Sequence, residues 1–321
     1  MENVLLLADK NSNAWNFALK IQNYIEREKE EHILLKEVCI KHFRNNEIDM
    51  HVPENIRKKD VYFIQDSTKN PQEWLTELIL IKDLLLSSSA NSITFVLPNM
   101  LYSRKDRKEK SRVPISARAL AKAISPNLKR IITMDLHADQ IQGFYPENVP
   151  VDSLRSFPSV IEYLKSNEQK VIEMENLVIV SPDAGGVSRA RSFAQRLGSK
   201  YPTAFIEKRR PIPGEISEMH ISGDVFNKDV LLIDDLIDSG NTLCNAAELL
   251  RRKGARQLFC YGTHGLFTLG TEELCKRFER VIVSNTHHQK NDNIEVIDVS
   301  HVFAEAIYRA QKGLSISKLF E

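Results

Sequence analysis

Two adjacent carboxylates at the end of an aliphatic run, followed closely by hydroxyls and a glycine, single out Val230 to Leu243, VLLIDDLIDSGNTL. Val230 to Ile233 reads as a fully buried parallel strand that stops at Asp234 and Asp235. Asp238, Ser239, Gly240, Asn241 and Thr242 suit a tight loop, and Leu243 to Arg252 carries an amphipathic helical pattern. Open α/β sheets bind ligands beyond the carboxyl ends of their strands. A loop feeding a helix N-terminus offers unpaired N–H groups and the positive end of a dipole to a phosphate. The hydroxyls of Ser239 and Thr242 add donors. Beside a phosphate, the two carboxylates would repel it unless they face hydroxyls or a cation, and a ribose phosphate meets both demands. Gly240 permits a positive φ, and Asn241 belongs to the few other types that tolerate it. Taken alone, D-S-G is also what an ordinary turn with a capping Ser or Asp looks like, and it is the paired acids that point to a ligand.

Other segments with chemical content also follow strands. Tyr102 to Arg112, YSRKDRKEKSR, holds six basic and two acidic residues directly after the strand Ser92 to Pro98. A solvated surface loop accounts for it equally well; nucleic-acid binding is a second possibility that the near-zero net charge does not encourage, and nucleotide phosphates suit it better. Pro182-Asp183-Ala184-Gly185-Gly186 sits between the strand Leu177 to Ser181 and the helix Val187 to Leu197. Its glycines let backbone amides approach a phosphate, and Asp183 adds a metal ligand or hydroxyl acceptor. Lys208-Arg209-Arg210 follows the strand Thr203 to Glu207 and leads into Pro211 to Glu215. Three adjacent cations need solvent or an anion, and the proline and glycine mark a loop able to open and close. His137 lies just past the strand Arg130 to Leu136. Phe43 to Glu47, FRNNE, forms a polar connection in which a Phe beside Asn and Glu can stack on a base, or simply be an exposed loop.

The elements that must position these residues alternate as strands and helices throughout. Val4 to Ala8 begins the series, and a helix containing Trp15, Phe17, Ala18, Ile21 and Ile25 follows. A short connection near Pro150 to Leu154 divides the chain into two similar halves, 1–150 and 151–321, and the last helix is Val302 to Lys312. The expected fold class is α/β, with a mainly parallel central sheet flanked by helices in each half. With 44 Lys+Arg against 43 Asp+Glu, the overall charge supports neither a nucleic-acid coat nor a polybasic membrane anchor. Cys39, Cys244, Cys260 and Cys275 lack the close spacing of zinc or redox motifs and read as buried free thiols. No apolar run is long enough for a membrane span, and the N-terminus lacks a signal-peptide pattern, so the cytoplasm is expected.

The 230–243 stretch resembles the phosphoribosyl diphosphate loop of phosphoribosyltransferases and ribose-phosphate diphosphokinases, with Ser239 and Asn241 where Thr and Gly are usual. YSRKDRKEKSRVPISA and MDLHADQIQGFYPENVPVD follow the pattern of the ribose-phosphate diphosphokinases, and the resemblance runs from FRNNE to the final SISKLF. It implies two phosphoribosyltransferase-like domains, the first carrying ATP loops, the second the ribose 5-phosphate loop and a catalytic flexible loop. The implied reaction moves the β,γ-diphosphoryl group of ATP to the C1 hydroxyl of ribose 5-phosphate, giving AMP and phosphoribosyl diphosphate. By the same resemblance, Asp238 to Thr242 hold the 5-phosphate, Asp234 and Asp235 meet the ribose hydroxyls and associated Mg2+, and Asp183, Gly185 and Gly186 lie near the transferred diphosphate. Phe43, Asn45 and Glu47 match an adenine-binding segment usually supplied by a neighbouring subunit. Arg104, Lys105 (where Gln is usual) and His137 match ATP contacts, and His137 and Asp183 match metal positions. Lys208 and Arg210 fall on the catalytic pair. The resemblance further implies a homo-oligomer, often a hexamer, activated by inorganic phosphate and inhibited by ADP. Arg57, Arg112, Asp152 and Ser315-Ile316-Ser317 are counterparts of that regulatory site, whereas Asn55 and Asp139 replace serines frequent in regulated forms.

Three readings compete with this one. A non-catalytic regulatory homologue would keep the fold and lose the catalytic loop, yet Lys208, Arg210, His137 and Asp183 are present. A phosphoribosyltransferase would share only the 230–243 loop. A nucleic-acid-binding module would use Tyr102 to Arg112 and bind with strong salt dependence.

Overall fold

The computed structural model describes residues 1–166, 174–198, 200–209 and 218–320. Two compact units emerge, one comprising Met1–Arg155, Thr286–His288 and Val299–Glu321, the other Ser156–Asn285 and Gln289–Asp298. In chain order the first contains β1 (Val4–Asp9), α1 (Asn13–Glu28), β2 (Leu34–His42), β3 (Ile48–His51), β4 (Asp60–Ile64), α2 (Pro71–Ser87), β5 (Ser92–Leu97), α3 (Ser116–Ile124), β6 (Arg130–Met134) and β7 (Val151–Leu154). The second contains α4 (Phe157–Ser166), β8 (Leu177–Ser181), α5 (Val187–Leu197), β9 (Thr203–Arg209), β10 (Glu218–Ser222), β11 (Asp229–Ile237), α6 (Asn241–Arg252), β12 (Leu258–Gly265), α7 (Glu272–Cys275), β13 (Arg280–Ser284) and β14 (Glu295–Ile297). The chain then returns to the first unit as α8 (Ser300–Lys312).

Each unit is built on a seven-stranded sheet, ordered β3-β2-β1-β4-β5-β6-β7 in the first and β10-β9-β8-β11-β12-β13-β14 in the second. The second order repeats the first. All pairings are parallel except β2 with β3 and β9 with β10. This is the α/β class expected from the alternation. Central strands such as β1 and β8 are buried along their whole length because helices cover both faces of a parallel sheet, while the outer strand β3 alternates between half-buried and exposed residues. Local signals set the helix starts: Ser12 accepts the Ala14 N–H ahead of α1, and Asn70 accepts the Gln72 N–H ahead of α2, with Pro71 at its first position. Trp74, Phe63 and Phe95 fill the first core, and Leu232, Leu250, Phe278 and Cys260 belong to the second.

Several expectations need correction. Val151–Leu154, read as a connection, is the edge strand β7 paired with β6, and Ile48–His51 and Glu218–Ser222 are further short strands. The units are not contiguous halves, since α8 packs on α1: Phe303 meets Phe17 edge-on at 5.3 Å, and Lys29 lies 2.6 Å from Glu305. Burying the apolar face of α8 decides its unit, and chain order does not reveal that. All four cysteines are free, with Cys244 and Cys260 buried and Cys39 and Cys275 only partly so. Among the described residues, no helix is long and apolar enough to cross a membrane.

The strand that matters most for the site is anchored at its start by a charge pair. Arg256 donates from Nε and Nη2 to the two carboxylate oxygens of Asp229, each at 2.7 Å, and the Asp229 side chain is fully buried. Removing one member of such a pair strands the other charge, at a cost of about 3–5 kcal/mol. Arg256→Met should therefore lower the unfolding free energy by about 3 kcal/mol, the lower end because the arginine touches solvent. Adding Asp229→Asn should recover part of the loss; urea denaturation that finds the two substitutions simply additive would reject this anchoring role.

Candidate active site

In the second unit, the chemistry-bearing residues gather at the carboxyl ends of β8, β9 and β11. β11 does not stop at its carboxylates as expected but runs through them to Ile237. Its pairing with β12 persists, Leu236 opposite His264 and Ile237 opposite Gly265. The acids are therefore held by a strand. Asp235 is buried and Asp234 half-buried. The Asp234 carboxylate folds back so that Oδ1 accepts the Asp235 N–H at 2.9 Å. Arg189 of α5 places Nη1 2.6 Å from Asp235 Oδ1 and 4.0 Å from Asp234 Oδ1. Burial pushes the Asp234 carboxyl well above the usual carboxylate range; Asp235 and Asp183 add to the shift, and Arg189 opposes it. A cation or hydroxyl donors would add to the compensation that Arg189 provides for these acids.

The loop after β11 is braced from below. The N–H groups of Leu266 and Phe267 donate to the Ile237 carbonyl, and the Thr268 N–H donates to the Asp238 carbonyl at 3.0 Å. The Thr268 hydroxyl donates to Asp238 Oδ1 at 2.6 Å. Gly240 caps α6 in the left-handed region at φ 78°. A Cβ there would also lie 2.9 Å from Leu274 Cδ1, so both conformation and space call for glycine. Asn241 and Thr242 form the first turn of α6, two residues earlier than expected, and their amides belong to the set that a helix leaves without internal acceptors. Ser239 Oγ accepts the Asn241 N–H at 3.4 Å. Small residues and a helix start thus present donors beyond the strand end, as an anion requires.

The turn after β8 is tied by Asp183, whose Oδ1 accepts the Gly186 N–H at 2.9 Å and whose carbonyl accepts the Ser181 hydroxyl at 2.6 Å. A Cβ on Gly186 would sit 2.6 Å from Ser181 Oγ, and one on Gly185 would sit 3.3 Å from Asp183 Oδ1. Lys208 lies on β9, opposite Met219 of β10, so the strand extends further into the basic run than expected. Arg210 lies outside the described residues.

In the first unit the other candidates also follow strands on the carboxyl side. Phe43 to Glu47 is the turn joining β2 and β3: the Phe43 N–H donates to the Glu47 carbonyl, Asn46 takes φ 66°, and Glu47 N–H donates to Asn45 Oδ1. Phe43 is 56% exposed. Arg104 and Lys105 are exposed in the loop after β5, and Lys105 pairs with Glu109 at 2.5 Å. Gln140 donates to Asp106 at 2.7 Å, linking that loop to the segment after β6 where His137 is exposed. Asn55 accepts the Arg57 N–H, and Asp139 accepts from Arg155 Nη2 at 2.8 Å. A cavity of about 440 Å³ is lined by Arg130, Asp152, Gly313, Ser315, Ile316 and Ser317, and Arg130 is hydrogen-bonded to Asp152.

Among the described residues, no three His, Cys, Asp or Glu side chains are grouped as a metal cage. Asp183, Asp234 and Asp235 nevertheless offer hard carboxylate oxygens, and magnesium is typically held by one or two carboxylates together with substrate phosphates. Sequence reasoning missed Arg189, Thr268 and Leu274. Arg189 carried a usable signal, a cation in the first turn of the helix that follows the glycine pair, whereas the other two act through contacts distant in sequence.

Residues 7–126 match the model of the N-terminal domain of ribose phosphate pyrophosphokinase, and residues 199–321 match that of the phosphoribosyl synthetase-associated domain. A ribose-phosphate pyrophosphokinase of Brucella melitensis is 39% identical over 297 residues, covering 90% of this chain and 93% of its own. One from Rhizobium meliloti is 40% identical over 297 residues, covering 89% and 93%. A crystal structure of the phosphoribosylpyrophosphate synthetase of Mycobacterium smegmatis matches with a TM-score of 0.84 at 30% identity, covering 97% of this chain and 99% of that one. A site that pairs strand-end carboxylates with an amide-presenting helix start therefore sits in a chain that belongs to the ribose-phosphate pyrophosphokinase family.

Proposed function

We propose that the protein makes 5-phosphoribosyl 1-diphosphate and AMP from ribose 5-phosphate and ATP, for nucleotide biosynthesis. The C1 hydroxyl oxygen attacks the β-phosphorus of ATP, the bond from that phosphorus to the α,β-bridging oxygen breaks, AMP leaves with that oxygen, and the hydroxyl proton passes to solvent. The observation that carries this reading is the end of β11, where Asp234 and Asp235 meet a left-handed Gly240 and the donor-rich start of α6. In this reading Asp238, Ser239, Gly240, Asn241 and Thr242 take the 5-phosphate. Asp234 and Asp235 accept from the ribose hydroxyls, and the turn of Asp183, Gly185 and Gly186 faces the diphosphate. Phe43 stacks on adenine while Asn45 and Glu47 read its edge; Arg104, Lys105 and His137 complete the ATP contacts. Lys208 and Arg210 neutralise charge developing on the β-phosphoryl oxygens, and such transfer needs positioning and electrostatics more than a protein nucleophile.

Mg2+ is the proposed cofactor, with Asp183 and His137 each a candidate ligand alongside substrate phosphates, and it would screen the triphosphate charge. The donor chemistry favours Asp183, since magnesium prefers oxygen. The reading includes a cytoplasmic homo-oligomer, with a neighbouring subunit supplying the adenine segment. Inorganic phosphate as activator and ADP as inhibitor belong to it too, with the Asp152 and Ser315 to Ser317 cavity as their candidate site.

Purified protein given ATP, magnesium and ribose 5-phosphate should release AMP and phosphoribosyl diphosphate in equal amounts. Lys208→Ala should lower the turnover by about 10³-fold or more while its melting temperature and ribose 5-phosphate binding stay unchanged. Binding without either product from the parent protein would instead identify a regulatory homologue, and undiminished AMP release by the variant would remove Lys208 from the mechanism.

A further inference from the structure

Arg189 takes none of the binding or transfer roles proposed for the site, yet its charge is placed at the centre of the β11 carboxylates. It stands in the first turn of α5, three residues after Gly186, so its backbone is carried by the helix that begins at the Asp183 to Gly186 turn. Its side chain is only 13% exposed and reaches across to β11, with Nη1 2.6 Å from Asp235 Oδ1 and 4.0 Å from Asp234 Oδ1. Neighbouring residues on a strand ordinarily point to opposite faces. Here Asp234 folds back onto the Asp235 N–H, which turns both carboxylates toward the same guanidinium. A planar guanidinium with several donors can fix two acceptors at once, whereas an ammonium acts as a point charge.

We infer that Arg189 is a positioning residue for the sugar phosphate: its guanidinium, anchored on the diphosphate turn's helix, holds Asp235 and steadies Asp234 in the orientation that accepts the ribose hydroxyls. The inference rests on the function proposed above and extends it to a specific link between the turn after β8 and the loop after β11. Loss of that link affects the sugar phosphate, while the ATP segments of the first unit keep their own supports. A lysine at this position would retain the charge without the planar fork.

The test uses Arg189→Met and Arg189→Lys in the full chain. Ribose 5-phosphate binding is measured calorimetrically with magnesium and without ATP, alongside KM for both substrates and melting temperature. Partners that orient metal-binding side chains typically cost about 10–100-fold when removed, and the same scale is expected for a residue that orients substrate-binding carboxylates. Arg189→Met should weaken ribose 5-phosphate binding by about tenfold or more and raise its KM similarly, with KM for ATP changing less than about twofold. Arg189→Lys should fall between the two, at an unchanged melting temperature, and it carries the test if the methionine variant fails to fold. Wild-type affinity in either folded variant, or equal rises in both KM values, would overturn the inference. A parent protein that binds no ribose 5-phosphate would overturn the proposed function itself.

Discussion

Two carboxylates side by side within a largely buried strand are a standing electrostatic liability, and the second unit is arranged around them. The strand cannot shed them, because β11 keeps its register with β12 past both residues. Burial and mutual repulsion favour the protonated form of Asp234, and Arg189 supplies compensation chiefly at Asp235. The proposed sugar hydroxyls and phosphate-bound metal would add donors and positive charge to such a site. The loop that follows presents amides and hydroxyls rather than further cations, which suits a phosphate.

The two sheets repeat one strand order, and comparing them shows what the functional loop requires. In the first unit, the turn after β4 occupies the topological place of the loop after β11. There, the Asp66 carboxylate accepts the Asn13 N–H at 2.9 Å and the Thr68 N–H and hydroxyl, each at 2.8 Å. Lys69 joins Asp9 and the fully buried Glu77, and Gln65 donates to Glu77 at 2.7 Å. That turn is held together by its own side chains. The loop after β11 has more small residues and opens onto a helix start, which leaves room for a ligand.

Much of this was legible because parallel strands carry near-continuous aliphatic runs, and glycine, proline and capping residues punctuate them. The β8 and α5 boundaries agree with the periodicity to the residue, and Gly240 does take the positive φ that its type allows. Short strands such as β3 and β7 escaped, because four residues give little periodic signal and pairing with a neighbour decides them. The placement of α8 depends on packing against α1, a contact between opposite ends of the chain. At the site, residue type found the donors and acids, but the bracing by Thr268, the space taken by Leu274 and the reach of Arg189 are tertiary facts. A strand running through its acids was also hidden, since charge normally ends a buried run.

The pairing of Asp234 and Asp235 with sugar hydroxyls is the claim on which the rest turns, and it separates a ribose phosphate site from a general phosphate cradle. Titrating the protein with ribose 5-phosphate and with 2-deoxyribose 5-phosphate, both with magnesium, addresses it directly. A site built to hydrogen-bond a hydroxyl leaves buried acceptors unpaired when that hydroxyl is missing, so the deoxy sugar should bind weaker by about tenfold or more. Equal affinity for the two sugars would contradict the carboxylate assignment and leave only the phosphate loop.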